Sequence, residues 1–223
     1  MLQLLICSDL HTFIQNIPPA LDRIDRVDAI LIAGDLEAEQ DELLDLAGGI
    51  PVYAVAGNND YYLNTEYPEE LLIDIKSTAG SSPYIENVRE LRYSDQPEKY
   101  ARLPSILRRQ PFDKISAARW GEHRPNTVSH RILITHGKEY GVPDLQLLTS
   151  RAVLWGANLV IYGHTHRFAD TTVRGGNLRL INPGCLMGDP HDTVRTYAKY
   201  EICSFAVLRL GFDNEISLQH LYV

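Results

Sequence analysis

Cysteine is scarce in this chain. The three residues present in 223, Cys7, Cys185 and Cys203, are odd in number, far apart and in no C-x-x-C pair. That excludes a disulfide framework and a zinc–thiolate site, and it suits a reducing compartment. Long apolar runs are missing too. No stretch approaches the roughly 18 apolar residues of a membrane span, and Met1–Cys7 lacks the basic lead of a signal peptide. The chain reads as soluble and cytoplasmic, with no membrane partner. It has no internal repeat and no low-complexity tract. Positive charge is in the minority, with 21 Lys and Arg against 29 Asp and Glu, a net −8 that argues against general nucleic-acid binding. What is there is globular: 44% hydrophobic and 22% charged residues. A chain of this length is expected to form one domain and to bury roughly 70–75% of its unfolded surface without disulfides or a partner.

The first third alternates buried strands with helices. Leu2–Ser8 is almost wholly apolar, as a strand covered on both faces must be, and it ends in Asp9-Leu10-His11. Ile17, Leu21 and Ile24 follow at helical spacing. Ala29–Ala33 is a second buried strand, ending in Gly34-Asp35. Glu39–Ala47 reads as a short acidic helix stopped by Gly48-Gly49, and Val52–Ala56 is a third strand, ending in Gly57-Asn58-Asn59-Asp60. Short connections between such units indicate parallel pairing. The pattern returns at Arg131–Thr135, which ends at His136-Gly137. A helix is expected in 144–155, and Leu159–Tyr162 ends at Gly163-His164-Thr165-His166. Beyond it, Thr171–Arg174 and Leu178–Ile181 flank a Gly175-Gly176-Asn177 turn, and Tyr197–Leu210 and Glu215–Val223 read as strands. A second sheet packed on the first is expected.

Residues 80–130 differ in character. Nine basic residues against six acids give +3, whereas the remainder carries twelve against twenty-three, or −11. Pro83, Pro97, Pro104, Pro111 and Pro125 require any helices there to be short and broken. The segment reads as a basic insertion in a single domain spanning 1–223. As a cap over a functional edge, its arginines, Arg108 and Arg109 among them, would attract a phosphorylated ligand. The plainer assignment is a surface elaboration or a contact in a homo-oligomer. Tyr61, Tyr62, Tyr67, Tyr93, Tyr100 and Trp120 are candidates for stacking on a base, against the ordinary use of such residues in a core.

Five strand ends deliver polar residues to what a parallel sheet makes its ligand-binding edge. Asp9, His11, Asp35, Asn58, His136, His164 and His166 all arrive there. In extended chain, residues i and i+2 point the same way, so Asp9 with His11 and His164 with His166 can each act as a clamp. Taken singly, D-x-H is weak and Gly34-Asp35 or Gly57-Asn58 is ordinary turn chemistry. Their joint occurrence, each at a strand end, is not. Carboxylates, imidazoles and an amide oxygen suit Mn, Fe, Co, Ni or Zn rather than Ca or Mg. Seven ligands are too many for one such ion, whereas a bridging carboxylate can serve two. Metals ~3.5–4 Å apart can acidify a shared water and clamp both oxygens of a phosphoryl displacement.

Together, D-x-H, G-D, G-N-x-D, H-G and G-H-x-H resemble the signature of the calcineurin-like metallophosphoesterases. Asn182-Pro183-Gly184 resembles the N-P-G of their small bacterial and archaeal phosphodiesterase branch. The resemblance covers residues 1–75 and 130–210. It implies an α/β fold, a four-layer α/β/β/α sandwich of two stacked mixed sheets. It implies two divalent transition metals, Mn first among them, with Asp9, His11, Asp35 and His166 around one and Asp35, Asn58, His136 and His164 around the other. A metal-bridging hydroxide would then attack the phosphorus of a small phosphorylated substrate in line. Asn59 and Asp60 would assist, Asp60 by orienting the Asn58-Asn59 turn. Many phosphatases of the family place His where this chain has Asn59, and related phosphodiesterases often have Cys. An amide can bond a phosphoryl oxygen but cannot protonate a leaving group, so a diester fits better than an alkyl monoester. Lys138 and His191 are the nearest substitutes for an acid. Two other readings stand beside the phosphodiesterase. One is a protein-binding scaffold like the metallophosphoesterase-like subunit of the retromer coat, which loss of metal ligands would favour. The other is a nuclease using the same centre, which a basic groove would favour.

Overall fold

A computed structural model of the chain describes residues 1–63, 67–78, 81–97, 124, 127–189, 196–197, 200–201, 203–211 and 215–223. Strands β1 (Leu2–Cys7), β2 (Ala29–Ile32) and β3 (Val52–Ala54) are parallel neighbours. Helices α1 (Ile17–Leu21) and α2 (Gln40–Leu46) form the crossovers between them. The second unit holds β4 (Glu70–Lys76), β5 (Tyr84–Leu91), β6 (Val128–Thr135), α3 (Gln146–Leu154), β7 (Leu159–Ile161), β8 (Phe168–Val173) and β9 (Leu178–Pro183). A small hairpin, β10 (Thr196–Tyr197) with β11 (Tyr200–Glu201), precedes β12 (Ser204–Leu210) and β13 (Ile216–Tyr222). The two main sheets have the orders β13-β12-β1-β2-β3 and β5-β4-β6-β7-β9-β8. Both are mixed: β12 and β13 add antiparallel to the first, and β4, β5 and β8 to the second.

Burial on both faces of each sheet produces four layers. Leu4, Ile6 and Leu31 of the first sheet meet Ile73, Ile132, Ile134 and Ile161 of the second in a dry interior. The alternate residues Leu5, Ile30, Ile32 and Phe205 face the helical layer of Ile17, Ala20 and Leu43. On the far side, Leu72, Leu133, Val160 and Leu180 meet Leu148 and Ala152 of α3. The expected α/β/β/α sandwich is therefore the observed one, and period-2 pleating explains the unbroken apolar run of β1.

Local corrections have identifiable causes. α1 ends at Leu21 rather than reaching Ile24, because it is a single short turn opened by Pro18 and Pro19. Broken helices were the expectation across 80–130, yet Tyr84–Leu91 is a strand paired along its length with β4. It is the polar edge of the second sheet, where charged side chains are ordinary. The neighbouring β4 escaped the apolar pattern because Glu70 and Asp74 are buried within it. Each is neutralised by a buried arginine. Arg131 bonds Asp74 through Nε (2.6 Å) and Nη2 (3.0 Å), and Arg151 grips Glu70 Oε2 through Nε (3.0 Å) and Nη2. Most of the basic residues of 80–130, Arg108 and Arg109 included, lie outside the described residues.

Candidate metal centre

The parallel strands of both sheets end at one edge, and their loops lock into each other there. The Asp9 N–H donates to Gly34 O (2.9 Å), the Gly163 N–H to His136 O (3.0 Å) and the His164 N–H to both oxygens of Asp9 (3.1 Å each). Glycine is obligatory at two of these crossings. A Cβ on Gly57 would lie 2.1 Å from Asp35 Oδ1, and one on Gly163 would lie 2.7 Å from Asp9 Oδ2 and 2.8 Å from Ala33 O.

The backbone is strained where the polar side chains leave it. Asp9, His11, Thr12, Asp35, Glu37, His164 and His166 all have left-handed φ between 46° and 71°. Such values cost about 1–3 kcal/mol per residue and concentrate at functional sites. They also overturn the extended-chain expectation for the D-x-H and H-x-H clamps. Neither pair is extended; tight left-handed turns aim the side chains inward.

Seven predicted residues meet at this edge. Asp9, His11 and His166 bring one ligand atom each to within 4.8 Å of one another, and so do Asp9, Asp35 and His136. His11 Nε2 lies 3.2 Å from His166 Nε2 and 3.8 Å from Asp35 Oδ2. His166 Nε2 is 3.2 Å from Asp9 Oδ1, and His136 Nε2 is 3.3 Å from Asp35 Oδ2. Asp35 Oδ2 thus faces imidazoles from both sides. Asn58 Oδ1 stands 3.1 Å from His136 Nε2, and the His164 ring sits edge-on to that of His136 at 5.1 Å. Lys138 is exposed in the turn after Gly137, and His191 lies outside the described residues.

The donor set fits divalent metals. Asp9, Asp35 and His136 are at most 1% exposed, and two buried carboxylates demand positive charge. Burial alone would raise the Asp35 pKa, but hydrogen bonding and charge from His136, with the Asn59 donors, hold it well below the usual carboxylate range. Burial pulls the other way on His136, and Asp35 with Asp9 overrides it, raising that imidazole to about 9. Burial and the neighbouring His136 cation lower His164, which favours the neutral, ligating form. His136 Nδ1 donates to Ala33 O at 2.9 Å, so Nε2 is the atom offered to a metal.

Asn59 and Asp60 act on the loops. Asn59 donates from its backbone to Asp35 Oδ1 (2.9 Å) and from Nδ2 to Asp35 Oδ2 (2.8 Å). Asp60 is fully buried and accepts from the N–H groups of Asp35, Leu36, Glu37 and Gly57 at 2.7–2.9 Å. That carboxylate ties the β2 and β3 loops together. Asp60→Ala should lower unfolding free energy by about 3 kcal/mol or more, since several charge-assisted bonds vanish at once. Denaturant melts measure it, and an unshifted midpoint would show that the loops hold without Asp60.

Two residues carry weight that sequence reasoning did not assign. Glu37 Oε1 accepts from His11 Nδ1 at 2.6 Å, fixing that ring's tautomer and aim. Its one signal was its place two residues past Asp35. Asn182, already noticed as part of N-P-G, is buried and donates through Nδ2 to Gly163 O (2.8 Å) and Thr165 Oγ1 (3.1 Å), holding the His164–His166 turn. Of the stacking candidates, Tyr61 is exposed, Tyr93 lies edge-on to Tyr140 at 5.8 Å, and Tyr67 packs on the helix-side core. Tyr100 and Trp120 lie outside the described residues.

Comparison with known proteins places these features. The model of the calcineurin-like phosphoesterase superfamily domain matches residues 2–204. No curated protein matches the sequence. Among solved structures, a predicted phosphoesterase from Streptococcus pneumoniae is similar over 100% of this chain and 98% of its own, at 21% identity and TM-score 0.53. Vacuolar protein sorting 29 from Cryptosporidium parvum is similar over the same shares, at 15% identity and TM-score 0.55. Vps29 from Entamoeba histolytica, in complex with zinc, covers 99% of each chain at 14% identity and TM-score 0.52. At these identities the likeness is one of fold.

Proposed function

The chain belongs to the calcineurin-like phosphoesterase superfamily, and from that membership we propose that it is a divalent-metal-dependent phosphodiesterase acting on a small phosphorylated substrate. The observation that carries this reading is the convergence of Asp9, His11, Asp35, His136 and His166 in two overlapping ligand groups, with none of the seven signature positions lost. Asp9, His11, Asp35 and His166 would hold one ion, and Asp35, Asn58, His136 and His164 a second. Two divalent ions there would supply Lewis acidity at a phosphoryl oxygen and a water of lowered pKa.

The chain's own residues do the rest. Asp35, between the His11 and His136 rings, balances charge at the middle of the site. Glu37 and Ala33 O orient His11 and His136 so that each presents Nε2. Asp60 and Asn182 fix the loops that aim Asp35 and His164. Asn59 is bound to Asp35 and carries no titrating proton, so the site favours esters whose alcohols leave unaided. Glu37→Gln should weaken Mn binding by about 10–100-fold, the usual cost of losing a carboxylate behind a histidine ligand. Calorimetric titration checks it, and unchanged affinity would show that other contacts hold the His11 ring.

The same geometry sets a pH dependence. In the metal-free protein the Asp35–His136 pair stabilises the fold. The His136 share is fully present below its unfolded pKa of 6.5 and is lost as pH rises through about 9. The Asp35 share is present above 3.8 and is lost as pH falls through its depressed folded value. A metal must displace the His136 proton, so Mn affinity should rise between pH 6.5 and 8.5 with close to one proton released from this ring. Titrations in buffers of different ionisation enthalpy count the protons. A pH-independent affinity would contradict a protonated His136.

The deciding experiment is a panel of aryl diesters, cyclic nucleotides, monoesters and DNA offered to the Mn-reconstituted protein. Diesters hydrolysed well ahead of monoesters support the reading. Bound metal with no turnover on any substrate favours the scaffold, for which one observation speaks. Leu44 is 44% exposed in a groove of about 470 Å³ between α2 and strands β3, β4 and β5. The nuclease finds less support, since among the described residues the turns at this edge mix Glu37 and Glu139 with Lys138 and Arg167.

A further inference from the structure

Beside His164 the surface opens into a cleft of about 550 Å³, within the usual size range of small-molecule sites. Val142, Leu145, Tyr162 and Phe168 give it an apolar lining, and His164, Thr165, Arg167 and Thr171 a polar one. Among the described residues no carboxylate lines it. An apolar lining with a single arginine beside it suits an apolar group attached to an anion.

The cleft is built rather than incidental. Val142 sits against Gly137, where a Cβ would meet its methyls at 3.2–3.3 Å, so this wall is fixed by the residue after His136. Phe168, also in the lining, stacks on His220 of the other sheet with centroids 4.0 Å apart and planes 13° from parallel. The inner end is held by Asn182, which bonds both Gly163 O and Thr165 Oγ1. His164 belongs to the cleft and to the candidate metal centre at once, so the ester substituent of a phosphoryl group held at that centre would have this cleft beside it.

Resting on the phosphodiesterase reading, we propose that the cleft is the subsite for an apolar, ring-bearing ester group of the substrate. It selects aryl or similarly flat substituents over small alkyl ones. Tyr162 and Phe168 supply ring contacts, and Leu145 and Val142 supply aliphatic ones.

The test is binding, which needs no turnover. Phenylphosphonate and methylphosphonate are titrated calorimetrically into the Mn-loaded protein. The phenyl compound should bind at least about tenfold tighter, the scale on which apolar pockets discriminate. Thr171→Trp, on the cleft wall and five residues from His166, should remove that preference while leaving methylphosphonate affinity within about twofold. Leu145→Ala, which fills nothing, should reduce the preference as well, and guards against a misfolded Trp variant. Equal affinity for the two phosphonates in the wild type would overturn the subsite. So would a phenyl preference that survives both substitutions. Diester turnover of the same preparations separates the two ideas: a phenyl preference without hydrolysis keeps the cleft and sinks the phosphodiesterase.

Discussion

Replacing Asp35 with alanine should cost on the order of 10³-fold or more in kcat/KM on an aryl diester, because several kcal/mol of metal-dependent stabilisation go with it. It should also lower the metal content of the reconstituted protein at both sites. The reason is positional. Asp35 Oδ2 lies 3.3 Å from His136 Nε2 and 3.8 Å from His11 Nε2, so one oxygen is near ligands of both proposed sites. His136→Ala and His164→Ala should remove only the second ion. Asp35→Asn should retain the fold yet lose the charge that two metals would share, separating geometry from electrostatics. Metal analysis beside kinetics reads all four. Two ions and near-normal activity in Asp35→Ala would exclude a bridging role, and a wild type saturating at one ion would exclude the dinuclear model.

The parts of this centre visible in the sequence are those with a short physical range. β1 and β2 are apolar on both faces because both faces are covered, and a run of that kind identifies itself. The motifs at their ends are visible because a ligand must sit where a strand stops and the turn demands glycine. β4 hides for the opposite reason. Its Glu70 and Asp74 look like surface residues until Arg151 and Arg131, 81 and 57 positions away, are brought against them. β5 is an edge strand whose charges face outward, and polarity in the sequence mimics a loop. Glu37 belongs to the same class of hidden residue. An exposed-looking acid acquires its role only when His11, 26 positions earlier, turns its Nδ1 toward it. The clamp geometry was legible in its membership and not in its cause, since alternation suggests extended chain where the backbone is left-handed at all four residues. The proposed basic cap over the metal edge falls mostly outside the described residues. Its test is kinetic: neutralising Arg108 with Arg109.

The dependence on the leaving group is where this protein should differ most from relatives that carry an acid in the G-N-x-D turn. In the proposed reaction attack requires a nucleophile, which bound metals would supply whatever occupies position 59. Expulsion of an alkoxide gains typically ~10²–10⁴-fold from a positioned acid, and Asn59 is not one. Its amide is already committed, with Nδ2 donating to Asp35 Oδ2 at 2.8 Å. Rates for an aryl ester series should therefore fall steeply as leaving-group pKa rises, and bis-p-nitrophenyl phosphate should far outrun alkyl monoesters. Asn59→His should flatten that dependence and raise monoesterase activity, provided the imidazole reaches the leaving oxygen. The substitution also removes the bond to Asp35, so Asn59→Ala is the necessary control. Alanine loses the bond without gaining an acid and should lower kcat/KM across the series while keeping the wild-type slope. A shallow wild-type slope would mean that an acid is already in place. Lys138, exposed in the turn after His136 and close enough to lower the His164 pKa, would then be the first residue to replace, and His191 the second.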